Sequence, residues 1–364
     1  MQLTLRALPE AGISPVVIGP RNGKLAPWCR DNGIDYLDCE LALRDKRHWW
    51  KYWGSVMCAA NLLRVQKVDI LHSNQIWSYQ AAADAAGYLK IPRVCHFRDE
   101  ADPKTIHWFT KPGVESVICI SRHVEAQAVA AWPDPRKRPK LLRILNPVEP
   151  IEIRELNLNV LHEIQLAARR RFDIPAQEIV FGFVGQIREV KGVRSLIETC
   201  ATLPREFPWR LLIAGKDPRP DKVYERDCRE RAERPDLRGR VQFCGFLEEM
   251  EDFYNAIDVA VVPSLEEPMG RVPLEAASHA RPTIAFRVGG LPDVVVDGVT
   301  GTLVPPEDWS TFRSEMLRSR RLAEDDLGVR AYQWVRSVTD PVKYAGILAD
   351  HYRELLSGTA ESSR

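Results

Sequence analysis

Short apolar runs, each four to six residues long, recur along this chain and are separated by longer segments of mixed polarity. The runs are rich in β-branched residues and nearly continuous in hydrophobicity, which is typical of strands buried on both faces of a parallel sheet. They predict strands at 14–18, 68–72, 93–97, 116–121, 179–184, 210–214, 241–244, 259–263 and 283–286.

The segments between these runs have the periodicity of helices. In one of them, apolar side chains recur at i, i+3, i+4, i+7 and i+10, which places them on one helix face. Strands that alternate with helices predict an α/β fold, in which right-handed crossovers wind helices over both faces of a parallel sheet. The periodic residues in that segment are Val193, Leu196, Ile197, Cys200 and Leu203.

This alternation stops and restarts once. A two-proline segment at 146–150 has the composition of a linker, a charged helical stretch runs from 155 to 171, and a second series of strands begins at Ile179. We therefore predict an α/β domain over 1–150 and another over 151–340, with a cleft between them. Residues 341–364 are predicted to form a C-terminal amphipathic helix that packs back on the N-terminal domain, with a frayed tail from Ser357.

The beginning of the chain is unusual. A doubly wound domain normally opens with a strand that leads into a phosphate-binding turn. Here residues 3–8 are helix-like, and the first apolar run starts only at Ser14. The first strand and its glycine turn are therefore missing from the pattern.

The composition is that of an ordinary globular protein. Of 364 residues, 45% are hydrophobic and 28% are charged, which excludes collagen, a disordered protein and a disulfide scaffold. No apolar run reaches the ~18 residues of a membrane-spanning helix, and no unbroken apolar segment typical of a secretory signal opens the chain. The eight cysteines lack metal-ligand spacing and indicate a reducing compartment. We expect a cytoplasmic protein, in solution or at the inner face of the membrane.

Charge is distributed unevenly along the chain. Residues 1–150 carry 21 Lys and Arg against 15 Asp and Glu, a net charge of +6, whereas residues 151–364 carry 30 against 35, a net charge of −5. The basic half favours an anionic partner or surface, although +6 is too weak for a nucleic-acid footprint.

Within the basic half, residues 44–53 are both basic and aromatic and begin a helix predicted to run to Arg64. Such residues suit a helix at a membrane interface, so peripheral membrane contact through 44–64 is one interpretation. The interpretation that we favour is a core helix whose side chains at Trp49, Trp53, Met57 and Ala60 face the sheet.

The segment from Pro263 to Glu275 carries the most chemistry. It leaves a strand, turns through a Pro-Met-Gly sequence and enters a helix near Pro273. The backbone N–H groups at that helix start form a site for anions or hydroxyls. Glu267 and Glu275 lie beside these amides, where carboxylates can hold a polyol from several sides. Alternatively, Glu267 is a solvated loop residue and Glu275 a charge stabilised by the helix dipole.

Two further loops follow predicted strands. After 283–286, Gly289 and Gly290 permit close backbone approach to a ligand. After 179–184, a loop that ends at a helix start carries Arg188 and Lys191, which could meet a diphosphate, although such side chains are more often only solvated. The chain has neither a Walker loop nor a Gly-x-Gly-x-x-Gly fingerprint.

In their order and spacing, these motifs resemble those of the family 4 retaining glycosyltransferases. The resemblance covers nearly the whole chain and is most specific at 183–192, at 267–275 and in the glycine run 289–298. In the first half it rests on 69–74, 120–122 and 146–147. It implies the GT-B architecture, with two Rossmann-like doubly wound domains facing across a cleft and the first strand of the N-terminal domain missing.

The resemblance also implies roles for individual residues. Glu267 would contact the hydroxyls of the donor sugar, and Glu275 would contact the ribose. Lys191 would neutralise the leaving diphosphate, and the backbone amides of 269–271 would hold sugar and phosphate. The implied catalytic residues are Glu267, Lys191 and His96, with Arg98 as the alternative to His96; the implied donor-binding residues are Gln186, Arg188, Gly245, Met269, Gly270, Arg271 and Glu275.

The implied reaction transfers a hexosyl group, with retention at the anomeric carbon, from a UDP- or GDP-linked sugar. The implied acceptor is a lipid-linked or glycan component of the cell envelope or of an exopolysaccharide, and neither a metal cofactor nor a nucleic-acid partner is implied. The chain departs from the family at Gln186, where an arginine is usual, and at the missing opening strand, for which we expect a late start of the sequence. The alternatives are a GT-B sugar-nucleotide epimerase and a non-catalytic nucleotide-sugar-binding protein.

Overall fold

The structure, a computed structural model, describes residues 1–148, 157–324 and 326–361. These residues form two compact units: the first comprises Met1–Pro147 together with Thr339–Arg364, and the second comprises Val148–Val338. The end of the predicted linker and the start of the predicted charged helix, at 149–156, lie outside the described residues.

The nine strands predicted from the apolar runs are confirmed, and three more are present. In chain order the strands are β1 (Val16–Gly19), β2 (Asp35–Asp38), β3 (Leu71–Ser73), β4 (Arg93–Phe97), β5 (Ser116–Cys119), β6 (Lys140–Arg143), β7 (Ile179–Val184), β8 (Trp209–Ala214), β9 (Val241–Gly245), β10 (Val259–Val262), β11 (Thr283–Phe286) and β12 (Gly301–Val304).

Helices connect most of these strands, as the alternating pattern predicts. They are α1 (Gln2–Ala7), α2 (Leu25–Asp31), α3 (Trp49–Val65), α4 (Tyr79–Tyr88), α5 (Pro103–Phe109), α6 (Arg122–Ala131), α7 (Leu158–Arg170), α8 (Val193–Ala201), α9 (Val223–Ala232), α10 (Glu251–Ala256), α11 (Arg271–Ser278), α12 (Trp309–Glu324), α13 (Leu327–Val338) and α14 (Pro341–Glu361). No helix among the described residues combines the length and the apolar character needed to cross a bilayer.

The second unit is built on one parallel sheet in the order β12-β11-β10-β7-β8-β9. When the strands are counted along the chain with β7 as the first and β10 as the fourth, this is the strand order of a Rossmann sheet. In that order the winding reverses between the first and the fourth strand. The reversal here falls between β7 and β10. Ligands of such sheets bind beyond the carboxyl ends of the strands at this switch point, so the loops that follow β7 and β10 are the place to look for a site.

Apolar side chains cover both faces of this sheet, because successive residues of a strand point to opposite sides. Phe181 belongs to one apolar cluster, which also contains the buried face of α8 and so confirms the prediction for that helix. The neighbouring Val180 belongs to a second cluster, on the opposite face of the sheet, together with Phe253 of α10. This two-sided burial explains why the strands of the second unit appear in the sequence as continuous apolar runs.

The first unit has two parallel sheets instead of one. β1 pairs with β2, and a separate sheet has the order β3-β4-β5-β6. If the first unit followed the order of the second, its opening strand would lie between β1 and β3, which is where the two sheets part. This gap is the place that the sequence analysis assigns to the missing strand, whose absence stays a prediction.

The three unpredicted strands, β2, β6 and β12, each have a neighbour on one side only. β2 has the sequence Asp-Tyr-Leu-Asp and β6 the sequence Lys-Leu-Leu-Arg, and both strands are largely half-exposed. An edge strand has one side open to solvent and tolerates polar residues, so its sequence lacks the long apolar run that identifies a central strand.

The C-terminal helix α14 belongs to the first unit. Tyr344 and Leu348 join Leu5 of α1 and strand residues Val94 and Ile118 in one buried cluster. The tail predicted to be frayed is helical as far as Glu361, and residues 362–364 lie outside the described part. Two histidine contacts add to this packing: His351 Nε2 lies 2.6 Å from Ser116 Oγ, and His72 Nδ1 is hydrogen-bonded to the Tyr352 hydroxyl.

Our interpretation of α3 as a core helix that buries its tryptophans is wrong in its orientation. Ala60 is buried as expected, but Trp49, Trp53 and Met57 are exposed. The helix instead buries a face with smaller side chains, centred on Ala59 and packed next to α4. Close helix packing favours such small residues, which explains why the tryptophans face outward.

The half-buried histidine at the α14 contact, whose Nε2 atom is buried, predicts acid sensitivity. Burial, reinforced by nearby Arg98 and His351, lowers the pKa of His72 to about 3. The unfolded chain binds this proton near pH 6.5, so the free energy of unfolding should fall as the pH drops from 6.5 towards 3. Between pH 7 and pH 5 we expect His72 to account for a loss of about 2 kcal/mol.

Urea unfolding at the two pH values measures this effect. The variant His72→Asn should lose less stability between pH 7 and pH 5 than the unsubstituted chain does. His48→Asn, at an exposed histidine, is the matched control and should behave like the unsubstituted chain. An equal loss in both variants would contradict the assignment.

Candidate functional site

The loops that follow β7 and β10 bring two predicted site residues into contact. Lys191 Nζ lies 2.7 Å from Glu267 Oε2 and donates a second hydrogen bond of 3.1 Å to the Glu266 carbonyl oxygen. Both paired side chains keep about a fifth of their surface exposed, at 22% and 20%. The switch point therefore carries an ion pair that solvent or a ligand can reach.

Backbone contacts hold these two loops together. A short 3-10 turn at Glu189–Lys191 leads to Gly192, which has a φ of +69° and starts α8. A Cβ at Gly192 would overlap the carbonyl oxygen of Pro263, at the end of β10. The Leu265 N–H also donates a 2.8 Å hydrogen bond to the Val190 carbonyl oxygen. The position of Lys191 is thus set by direct backbone contact with the Glu267 loop.

The double glycine after β11 supports the same loop from another side. Gly289, with a φ of +51°, has no room for a Cβ because the Glu267 carbonyl oxygen occupies that place. Gly290 lies equally close to Pro268 and donates a 2.8 Å hydrogen bond from its N–H to the Glu267 carbonyl oxygen. The close approach predicted from these glycines is therefore made to the protein's own backbone, and it places Glu267.

Glu275 lies on α11, which starts at Gly270 with no side chain to cap its first N–H groups. Its carboxylate accepts a 2.7 Å hydrogen bond from the Tyr254 hydroxyl and pairs with the Arg271 guanidinium at 2.5 Å. Burial, followed by the neighbouring Glu275 charge, raises the pKa of Tyr254 well above its usual value, so this hydroxyl stays a donor. Met269 and Gly270 are buried, and Arg271 is exposed.

Gln186 and Arg188 alternate with a buried residue in the loop after β7. Ile187 is fully buried, and its N–H donates to the Lys216 carbonyl oxygen at 3.1 Å. The side chains on either side, Gln186 and Arg188, are consequently exposed. Within the described part of the chain, no carboxylate lies within ion-pair distance of Arg188, so its charge is available to an anion.

One residue beside the predicted Gly245 was missed by the sequence analysis. Gly245 ends β9, and its carbonyl oxygen accepts a 2.7 Å hydrogen bond from the Gly215 N–H, which follows β8. The next residue, Phe246, is 65% exposed, and Lys216 Nζ lies 5.2 Å from the centre of its ring. A large apolar residue directly after the carboxyl end of a strand is the signal that could have identified this aromatic surface.

In the first unit, the structure places the alternatives His96 and Arg98 differently. His96 lies inside β4 and is fully buried, and burial together with Arg98 lowers the pKa of its imidazole well below the usual value. Its Nε2 atom has no hydrogen-bond partner among the described residues. Arg98 follows β4 and is partly buried; its guanidinium donates to Asn74 at 2.8 and 2.9 Å and to Asn146 at 2.7 Å.

The asparagines that hold Arg98 follow β3 and β6, so this arginine is fixed at the carboxyl edge of the first unit's sheet. The group at the carboxyl edge of this sheet is therefore the Arg98 guanidinium, whereas the His96 imidazole is buried. The catalytic role of His96 stays a prediction.

Comparisons with known proteins bear on both units. Residues 178–320 match the family described as glycosyl transferases group 1. The chain is 26% identical over 262 residues to an uncharacterized glycosyltransferase of Methanocaldococcus jannaschii, which covers 68% of this chain and 65% of that protein. It is 34% identical over 158 residues to a D-inositol 3-phosphate glycosyltransferase of Corynebacterium urealyticum, covering 41% of this chain and 37% of the relative.

The alignments thus span less than two thirds of these relatives' length. Among solved structures, HepE of Anabaena in complex with UDP superposes with a TM-score of 0.75 at 18% identity, covering 97% of this chain and 96% of that one. A match at this identity concerns the fold, and it extends over both units. On these comparisons, residues 178–320 match the group 1 glycosyltransferases, and the chain has the GT-B fold.

Proposed function

We propose that this protein is a retaining glycosyltransferase that moves a hexosyl group from a nucleotide sugar to an acceptor of the cell envelope or of an exopolysaccharide. The observation that carries the proposal is the ion pair of Lys191 and Glu267 at the switch point of the second unit. The pair lies in the loops after β7 and β10, where Rossmann sheets bind their ligands, and the loop of Glu267 leads into α11.

The pair fits the two ends of a nucleotide-sugar headgroup. The Lys191 ammonium would bind the diphosphate, and the Glu267 carboxylate would accept hydrogen bonds from sugar hydroxyls. On binding, Lys191 would exchange the Glu267 carboxylate for the diphosphate, and Glu267, which is still 20% exposed to solvent, would exchange the ammonium for hydrogen bonds from hydroxyls. The N–H groups at the start of α11 have no side-chain cap and could donate hydrogen bonds to the same diphosphate, where the helix dipole also favours negative charge.

The proposed reaction needs stabilisation of the leaving group more than it needs a protein nucleophile. The bond from the anomeric carbon to the diphosphate oxygen breaks, and the electron pair stays on the diphosphate. The acceptor hydroxyl oxygen forms the new bond on the same face, and its proton passes to the departing diphosphate. Lys191 and the α11 amides would stabilise the negative charge that develops there. Arg188 adds a cation to the loop in which Gln186 supplies only a hydrogen-bonding amide.

For the nucleotide, we propose UDP or GDP as carrier and the ring of Phe246 as a surface for the base. Its exposed ring and the nearby Lys216 lie beyond β8 and β9, on the same edge of the sheet as Lys191. The HepE structure contains UDP, which supports a uridine nucleotide as the first to test. Exposed aromatic rings bind bases because every base has a π-face.

We also propose a cytoplasmic location, at the inner face of the membrane, where a lipid-linked or glycan acceptor would be elongated. The net positive charge of the first 150 residues supports an anionic surface or acceptor as a partner of this half of the chain. No metal is assigned to the reaction, because Lys191, Arg188 and the start of α11 supply positive groups for the diphosphate.

Nucleotide release with a panel of UDP-, GDP- and ADP-sugars in the presence of EDTA tests the activity. We expect release with at least one UDP- or GDP-sugar, stimulated by a glycan or lipid-linked acceptor and unchanged by EDTA. Loss of release with EDTA would refute metal independence. Donor binding without any release, or interconversion of the donor sugar into its epimer, would refute transfer.

Substitution of Glu267 tests its role, and the neighbouring Glu266 provides a matched control. Glu267→Ala should lower kcat by about 100-fold or more, because a hydrogen-bonding group at the sugar is lost in the transition state. Glu266→Ala removes an exposed carboxylate but keeps the carbonyl oxygen that accepts from Lys191, and it should be close to neutral. Equal activity in both variants, measured as nucleotide release, would remove Glu267 from the site.

The glycine contact behind Glu267 makes a further prediction. Gly289→Ala and Gly298→Ala both place a side chain at a left-handed φ, of +51° and +71°, at a backbone cost on the order of 1–2 kcal/mol. Only the first also overlaps the Glu267 backbone, since nothing lies within 4 Å of a Cβ at Gly298. The donor KM should therefore rise by about tenfold or more in Gly289→Ala alone, since such a misplaced group costs transition-state contacts. Similar KM values in both variants would contradict this account.

A further inference from the structure

The outer face of α3 is an apolar surface that the first unit leaves uncovered. Trp49, Trp50, Trp53 and Met57 are exposed by 61%, 54%, 53% and 65% of their surface. They recur at helical spacing and form one stripe along the first two turns. Isolated exposed apolar side chains are common, but three tryptophans and a methionine on one stripe mark an interaction surface.

The opposite face of α3 is already fixed to the protein. Tyr52 is buried, and its hydroxyl is hydrogen-bonded to the Asp84 carboxylate of α4, which also receives the Arg44 guanidinium at 2.7 Å. Val56 and Leu63 are buried on the same side. Rotation of the helix to bury its tryptophans would break these contacts, so the aromatic stripe is the permanent outer surface.

Two more large apolar side chains of the first unit are exposed. Leu43 and Trp108 are exposed by 42% and 43%, one before α3 and the other on α5. The buried Gln80 amide holds their two segments together: its oxygen accepts from the Arg44 N–H at 2.9 Å, and its nitrogen donates to the Trp108 carbonyl oxygen at 2.8 Å. Leu43 and Trp108 therefore lie in two segments that are both held by Gln80 of α4, the helix on which α3 packs.

Unpaired positive charge accompanies the stripe. Lys46, Arg47 and Lys51 are exposed, and among the described residues no carboxylate lies within ion-pair distance of them. Asp45, the acidic residue in their midst, is occupied by His48 at 2.8 Å. Tryptophan is the residue that prefers the boundary between lipid headgroups and acyl chains, and basic side chains beside it attract anionic headgroups.

We propose that this face of α3, consisting of Lys46, Arg47, Trp49, Trp50, Lys51, Trp53 and Met57, docks the protein on the surface of an anionic lipid bilayer. The tryptophan rings enter the headgroup region, and the three cations contact lipid phosphates. A protein partner fits less well, since lysine is depleted in the cores of protein–protein interfaces. The proposal stands on the first unit alone and does not depend on glycosyl transfer by the second.

Vesicle binding of the full chain, without nucleotide sugar, tests the proposal. The chain should sediment with vesicles of phosphatidylcholine and phosphatidylglycerol, far less with phosphatidylcholine alone, and less at high salt. Its tryptophan fluorescence should shift to the blue on binding. The variant Trp49→Ala/Trp50→Ala/Trp53→Ala should weaken binding by about tenfold or more and lose that shift.

Two further variants separate the contributions. Lys46→Gln/Arg47→Gln/Lys51→Gln should remove the preference for anionic vesicles, and it tests the proposal independently if the tryptophan variant does not fold. Phe246→Ala removes an equally exposed ring from the second unit and should bind vesicles like the unsubstituted chain. Absence of vesicle binding by the unsubstituted chain would overturn the proposal. So would equal binding by the tryptophan variant, or a dimer of the unsubstituted chain that becomes monomeric in that variant.

Discussion

Direct contact between backbone segments, with no side chain between them, is the constraint on which the candidate site depends. Gly192 lies against the Pro263 carbonyl oxygen, and Gly289 lies against that of Glu267. A methyl group at either position would push the loops after β7, β10 and β11 apart. Because these loops carry Lys191 and Glu267, the glycines position the chemistry although they contribute no functional group to it.

The second unit contains two kinds of ion pair, and burial distinguishes them. Arg169 and Asp258 pair at 2.5 Å with only 4% and 9% of their side chains exposed, and Asp258 also accepts from the Val180 N–H at 2.7 Å. No ligand can replace a partner there without leaving a buried charge, so this pair is structural. Lys191 and Glu267 are more exposed, at 22% and 20%. Their partners can be exchanged for ligand groups, which is why the proposed function is assigned to them.

The helix α3 shows where reasoning from composition fails. Both of its faces contain apolar residues, so hydrophobicity alone does not determine which face is buried. Packing next to α4 selected the side with Ala59 and Val56, and the hydrogen bond from Tyr52 to Asp84 fixed that choice. The interpretation that we favoured from the sequence was the reverse, because it placed Trp49, Trp53 and Met57 on the buried face. The helix was therefore predicted correctly and its orientation was not.

What the sequence by itself determined is the α/β fold and the chemistry-bearing loops. Strands buried on both faces are continuous apolar runs in the sequence, and the turns at their ends require glycine and proline. Both features involve neighbouring residues and can therefore be recognised in the sequence itself. Tertiary structure alone decided the edge strands β2, β6 and β12, the pairing of Lys191 with Glu267 across 76 positions, and the placement of Arg98 at the sheet edge where His96 is buried. Each of these features depends on which segments, distant in the sequence, come into contact. Those contacts result from the packing of the whole unit and cannot be predicted from a local sequence pattern.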